Sequence, residues 1–77
     1  MIYFKPSAVR DLKKLPKPIR SKILEKLDFY TKSSNCLQFA KPLKDKTLGE
    51  YRFRIGEYRV IFDLDVKNKN IVILTVG

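Results

Sequence analysis

Seventy-seven residues with a mass of 9.1 kDa make one domain near the lower size at which a core supports itself without staples, which excludes a multidomain enzyme with its own cofactor fold. Lys and Arg number 17 against 8 Asp and Glu, a net charge of +9, so the chain seeks polyanions, while 44% hydrophobic and 12% aromatic residues exclude a disordered basic tail. A lone cysteine, Cys36, and no histidine exclude an internal disulfide, a zinc finger and a Ser-His-Asp triad.

No apolar run approaches the length of a membrane span, and residues 1–10 lack the apolar stretch of a signal peptide, so a cytoplasmic location is the expectation. There is no repeat and no linker rich in Gly and Ser; residues 1–77 read as a single unit. Residues 2–5 form a short β-like start. Pro6 and Ser7 then introduce a helix with Ala8, Leu12 and Leu15 at helical spacing, Ser7 as its N-cap and Asp11 near its positive end. Leu15-Pro16-Lys17-Pro18 breaks it, and Pro18 suits the first position of a second helix running to about Thr31. Ile19, Ile23, Leu24, Leu27 and Tyr30 make that helix's apolar stripe, so the two helices form a hairpin that needs a surface to cover. Residues 33–48, punctuated by Leu37, Phe39 and Leu43, read as a packed loop or a short extra helical turn.

Residues 50–64 read as two strands around Gly56-Glu57, a two-residue loop with Gly first, as a type II′ turn prefers. The polar cluster from Asp65 to Asn70 marks another turn, and residues 71–76 a further strand, giving a mostly antiparallel sheet. If Ile55 and Tyr58 flank the first turn, the register is fixed: Arg54 faces Arg59, Phe53 faces Val60, Arg52 faces Ile61, Tyr51 faces Phe62 and Glu50 faces Asp63. Alternation then sends Tyr51, Phe53, Ile55, Tyr58, Val60, Phe62 and Leu64 to one face, the floor for the helices. The other face carries Arg52, Arg54 and Arg59.

Three of the five arginines thus converge, with Arg54 and Arg59 directly opposite, a like-charge pair that costs stability. The planar guanidinium fork suits bidentate recognition of phosphate and stabilises charge developing on phosphoryl oxygens. Two readings are open: a phosphate-binding patch, or a solvated face on which Glu50 and Asp63 pair with the arginines. Lys41, Lys44 and Lys46, just before the hairpin, are placed to extend the patch along a nucleic-acid backbone. Lys13 and Lys14 either contact RNA or are the wet side of the first helix. Cys36 reads as a bystander thiol, and Tyr51 and Tyr58 as core residues. The scattered carboxylates argue against a metal-dependent nuclease cluster.

Several segments together resemble the RelE/ParE toxins of type II toxin-antitoxin modules, and the likeness spans nearly the whole chain. They are Phe4-Lys5-Pro6-Ser7-Ala8, Asp11-Leu12-Lys13-Lys14-Leu15-Pro16, Lys41-Pro42-Leu43, the run from Gly49 to Phe62 with its Tyr-Arg-x-Arg-x-Gly-x-Tyr-Arg-Val pattern, and the closing Val76-Gly77. The resemblance implies an α+β fold: an N-terminal short strand and a helical hairpin packed on one face of an antiparallel sheet of about four strands. It is strongest toward the RelE branch, implying ribosome-dependent cleavage of mRNA without metal or cofactor by attack of the ribose 2′-OH on the adjacent phosphate. In that pattern Arg52, Arg54 and Arg59 match the catalytic basic residues, and Lys13, Lys14, Lys41, Lys44 and Lys46 are the expected RNA and ribosome contacts.

Family members usually continue past the Val-Gly step with basic residues and a tyrosine that complete the catalytic set. A domain that is short at this end is expected to bind RNA or the ribosome with weak or no cleavage, and to expose apolar sheet or helix surface for self-association. The partners implied are a cognate antitoxin, the ribosome and mRNA, and no membrane. The alternatives are a ParE-like inhibitor of DNA gyrase and a non-catalytic nucleic-acid-binding or regulatory module.

Overall fold

The computed structural model describes all residues, Met1–Gly77. In chain order the elements are β1 (Ile2–Phe4), α1 (Pro6–Lys13), α2 (Lys17–Lys32), a 3₁₀ turn (Cys36–Phe39), β2 (Ala40–Pro42), β3 (Tyr51–Ile55), β4 (Tyr58–Asp65) and β5 (Asn70–Val76). One sheet holds all the strands in the order β1-β5-β4-β3-β2, antiparallel except where β1 runs parallel to β5. The helices cover one face. Ala8 and Leu12 of α1 and Ile23 and Leu27 of α2 are buried in one cluster with Phe53, Ile55, Val60, Phe62, Ile71, Ile73 and Val76 of the sheet.

The sheet has five strands where the sequence suggests about four. The extra one is β2, inside the stretch read as loop or helical turn; at three residues, with a proline on an edge strand, it carries too little alternation to be read. The 3₁₀ turn is the extra helical turn of that reading. Its Phe39 stacks on Tyr30 at 4.7 Å between ring centroids, Tyr30 meets Phe53 at 5.0 Å, and Phe53 stacks on Phe62 at 4.2 Å. Such pairs contribute roughly 0.5–1.5 kcal/mol each beyond their burial. They tie α2 through the turn to the centre of the sheet. Leu24 falls off the apolar stripe and is 40% exposed, since it lies about 100° round the helix from Ile23.

Two expectations for α1 are corrected. Its N-cap is Lys5, without a side-chain cap, with Ser7 inside the first turn, and Asp11 stands in the last turn, away from the positive end. The reason lies in the sheet. β1 stops at Phe4, opposite Ile73, while β5 continues to Val76 past a bulge that leaves Leu74 unpaired with β4. The Ser7 hydroxyl donates to the Leu74 carbonyl at 2.6 Å, and the Val76 N–H donates to Asp11 Oδ2 at 3.0 Å. Both side chains therefore satisfy backbone groups that β1 leaves open, a stronger demand on them than the helix end. These bonds fix α1 along the end of β5 that borders the arginine face.

Candidate nucleic-acid interface

The β3–β4 hairpin has the register read from the sequence in all five pairs from Tyr51–Phe62 to Ile55–Tyr58. Positive φ in its turn is confined to Gly56, at +60°, as a type II′ turn requires. Phe53, Ile55, Val60 and Phe62 are buried toward the helices, so Arg52, Arg54 and Arg59 project from the outer face. Arg54 and Arg59 are exposed and directly opposite; Arg52 is half-buried. On its other side Arg52 pairs with Lys41 of β2, which brings a fourth cation onto the face. The backbone of Arg59 exchanges two hydrogen bonds with Gly77, at 2.7 and 2.9 Å, so the end of β5 flanks the patch.

The carboxylates expected opposite the arginines are engaged elsewhere. The Glu50 N–H donates to Asp63 Oδ1 at 2.8 Å, and the Leu64 N–H donates to Glu50 Oε1 at 2.8 Å. The β3–β4 ladder ends at Tyr51–Phe62, and the next backbone donors find carboxylates instead of carbonyls. The one ion pair of the chain, Lys32–Asp28 at 3.0 Å, is exposed on α2. Lys41, Arg52, Arg54 and Arg59 thus have no carboxylate at ion-pair distance, and Arg54 Nε makes only a long 3.4 Å bond to the Gly56 carbonyl. The arrangement can grip an anion from several directions with forked donors.

Lys44 and Lys46 stand exposed in the loop between β2 and β3. Asp45 shapes this loop, taking the Thr47 N–H at 3.0 Å and the Thr47 hydroxyl at 2.6 Å on Oδ1. Those bonds hold its carboxyl below the ordinary aspartate value. The loop then folds over the outer face through Gly49, which sequence reasoning singled out only as part of a motif. Gly49 has φ +151° and is buried; a Cβ there would lie 2.5 Å from Ile61 Cγ2 and 2.9 Å from Leu74 Cδ1. A glycine immediately before a strand and outside any two-residue turn is the available signal for such an approach.

Lys13 and Lys14 lie at the exposed C-terminal end of α1, in the helical layer, and are not brought into the outer-face patch. Tyr51 and Tyr58 pack against the core, Tyr51 stacking on Phe62 at 5.7 Å. Cys36 is half-buried in the 3₁₀ turn, where burial pushes its thiol up from the ordinary value. No three acidic or thiol side chains converge in a group able to hold a metal ion, and no helix is long and apolar enough to cross a membrane.

A sequence model described as the ParE toxin of type II toxin-antitoxin system, parDE, matches residues 2–77. The chain belongs to the RelE/ParE toxin superfamily. Toxin RelG of Mycobacterium tuberculosis is 35% identical over 75 residues, covering 97% of this chain and 85% of that protein. The toxin-antitoxin complex RelBE2 of the same organism superposes with a TM-score of 0.85 at 34% identity, covering 100% of this chain and 94% of that one. The archaeal RelE–RelB complex of Pyrococcus horikoshii OT3 gives a TM-score of 0.75 at 28% identity, covering 99% and 90%. The isolated E. coli RelE toxin, at 18% identity, shares the fold with a TM-score of 0.78, over 100% of this chain and 81% of that one. The superfamily fold is therefore present from β1 to β5, including the two strands that carry the arginines.

Proposed function

We propose that this superfamily toxin is a ribosome-dependent endoribonuclease that cleaves mRNA through the outer face of its sheet. The observation that carries the reading is the set Arg52, Arg54, Arg59 and Lys41, aligned by strand register on one face with no carboxylate at ion-pair distance. In the reaction the ribose 2′-hydroxyl gives its proton to water as its oxygen attacks the adjacent phosphorus, the bond to the 5′-oxygen breaks, and that oxygen takes up a proton from water. The product end is a 2′,3′-cyclic phosphate. Negative charge on the phosphoryl oxygens grows toward the transition state, and guanidinium forks placed beforehand stabilise it. A guanidinium keeps its proton at neutral pH and is a poor general base, so these residues act by positioning and charge stabilisation.

In this reading Lys44 and Lys46, with Lys13 and Lys14 from the helical layer, hold the ribosomal RNA backbone. The cytoplasm is where such a target resides. Two of the similar solved structures are toxin-antitoxin complexes, and a cognate antitoxin with an acidic, largely disordered segment fits a surface of this charge. A second reading, inhibition of DNA gyrase, is favoured by one observation: the matching family model is the ParE one.

The test is a translation reaction with added protein, with mRNA mapped by primer extension with and without ribosomes, beside a gyrase supercoiling assay. Cuts that require ribosomes and disappear in Arg52→Ala, Arg54→Ala or Arg59→Ala variants are expected. Intact mRNA with blocked supercoiling would replace the ribonuclease reading with the gyrase one. Intact mRNA and unaffected supercoiling would leave a binding module.

A further inference from the structure

The outer face carries an aromatic residue that neither the core nor the arginine patch accounts for. In β1, Ile2 and Phe4 turn into the core, so Tyr3 between them projects to the arginine side of the sheet and is 50% exposed. Its ring belongs to none of the aromatic pairs that organise the interior. It sits beside Val72, on the rung that continues to Asp63. Lys5, two residues on, is exposed and follows the same alternation.

Gly49 and the loop before it cover the middle of the face, over Ile61 and Leu74. The open route from Arg59 therefore follows the end of β5, past exposed Thr75 and then Lys5, to Tyr3. Two strand spacings across and four residues along separate Tyr3 from Arg59, about 17 Å on a flat sheet. A run of about four nucleotides crosses that span, the lower end of single-strand site sizes on sheet platforms.

We propose that Tyr3 is a base-stacking platform for single-stranded RNA whose phosphates are held by Arg59 and Lys5. The inference rests on the reading of the arginine face as an RNA surface and adds to it where an unpaired base goes. Phosphate contacts alone give no use for an exposed ring, whereas a base has a π-face whatever its sequence. Duplex RNA, with its bases already stacked, gains nothing from Tyr3.

The experiment measures binding of labelled single-stranded RNA of about eight nucleotides by fluorescence anisotropy to the full chain and to Tyr3→Val, Tyr3→Phe and Arg59→Ala variants, with a duplex of the same sequence alongside. Valine keeps the strand propensity and the fold without a ring, and circular dichroism checks that it does. Tyr3→Val is expected to lose roughly 5- to 100-fold in single-strand affinity, with Tyr3→Phe near the parent and the duplex affinity unchanged. Equal single-strand affinity for Tyr3→Val and parent, with binding still weakened by Arg59→Ala, would overturn the stacking role and leave the phosphate face intact. Binding indifferent to Arg59→Ala as well would overturn the RNA surface itself. An equal loss for single strand and duplex would also overturn the proposal, since it would mark Tyr3 as structural.

Discussion

Replacing Arg59 by alanine separates a phosphate-binding patch from a merely solvated one. Four cations, Lys41, Arg52, Arg54 and Arg59, share the outer face without a carboxylate at ion-pair distance. If each neutralises one phosphate of a single strand, log K falls with log salt with a slope of about −2.8, at about −0.7 per contact. Raising salt from about 50 to about 200 mM then weakens the parent about 50-fold and Arg59→Ala, with a slope of about −2.1, about 20-fold. Arg59→Lys should keep the parent slope and still bind more weakly, because the point charge remains and the fork is lost.

The same substitution has a signature in stability. Arg59 faces Arg54 directly, and like charges so placed cost a few tenths of a kcal/mol, up to about 1. Thermal unfolding of Arg59→Ala should therefore hold its midpoint or rise by a few degrees, given about 4–8 °C per kcal/mol in a domain of this size. Oligonucleotide binding by anisotropy at several salt concentrations gives the slope, and a melting curve gives the rest. An unchanged slope would refute the phosphate contact. A midpoint lowered by more than about 5 °C would show that Arg59 supports the fold.

Gly49→Ala should destabilise by about 2–4 kcal/mol, combining overpacking against Ile61 and Leu74 with a strained positive φ; a melting midpoint within about 2 °C of the parent would show that the loop yields freely. Ser7→Ala should cost about 1 kcal/mol by leaving the Leu74 carbonyl without its donor, and Asp11→Ala should speed amide exchange at Val76, read residue by residue by NMR. Thr47→Ala should move the Asp45 carboxyl part of the way back up toward the ordinary aspartate value in an NMR titration, because it removes the hydroxyl bond, the larger of the two causes, and keeps the backbone N–H bond. Cys36 should alkylate more slowly at neutral pH than an unfolded control, since burial keeps its thiol protonated. As this raised pKa favours the protonated form in the folded state, its contribution to stability is complete below the ordinary thiol range and is lost as pH rises through the folded value.

The hairpin was the most legible part of the chain because its information is local. A two-residue turn with glycine first fixes the register, and strict alternation across Tyr51, Arg52, Phe53, Arg54 and Ile55 assigns the faces. Whatever depended on distant partners was hidden. Ser7 resembles an N-cap in sequence, yet its partner is Leu74, sixty-seven residues away. β2 acquires its identity from pairing with β3, since Ala-Lys-Pro has no strand pattern of its own. Gly49 is explained only by Ile61 and Leu74, which the sheet brings beneath it. Glu50 and Asp63 were placed on the right face, but their backbone partners could not be foreseen without knowing where the ladder stops.

That last point bears on how a small basic domain keeps an anion site open. Carboxylates on the same face as arginines would ordinarily pair with them and neutralise the patch. Here the end of the β3–β4 ladder leaves the Glu50 and Leu64 N–H groups in need of acceptors, and Asp63 and Glu50 supply them at 2.8 Å. A carboxylate that accepts a backbone N–H in this way makes a charge-assisted bond of about 1.5–3 kcal/mol, more than an exposed Arg–carboxylate pair returns, at about 0–1 kcal/mol. The competition for these two side chains is therefore won by the backbone, and the arginines stay free. Asp63→Asn tests this ordering: an amide oxygen can still accept from Glu50, so the hairpin should persist with a modest loss of stability while RNA binding tightens through the removal of one negative charge. Loss of the hairpin's amide protection, with unchanged binding, would mean that the Asp63 charge itself holds the strands together.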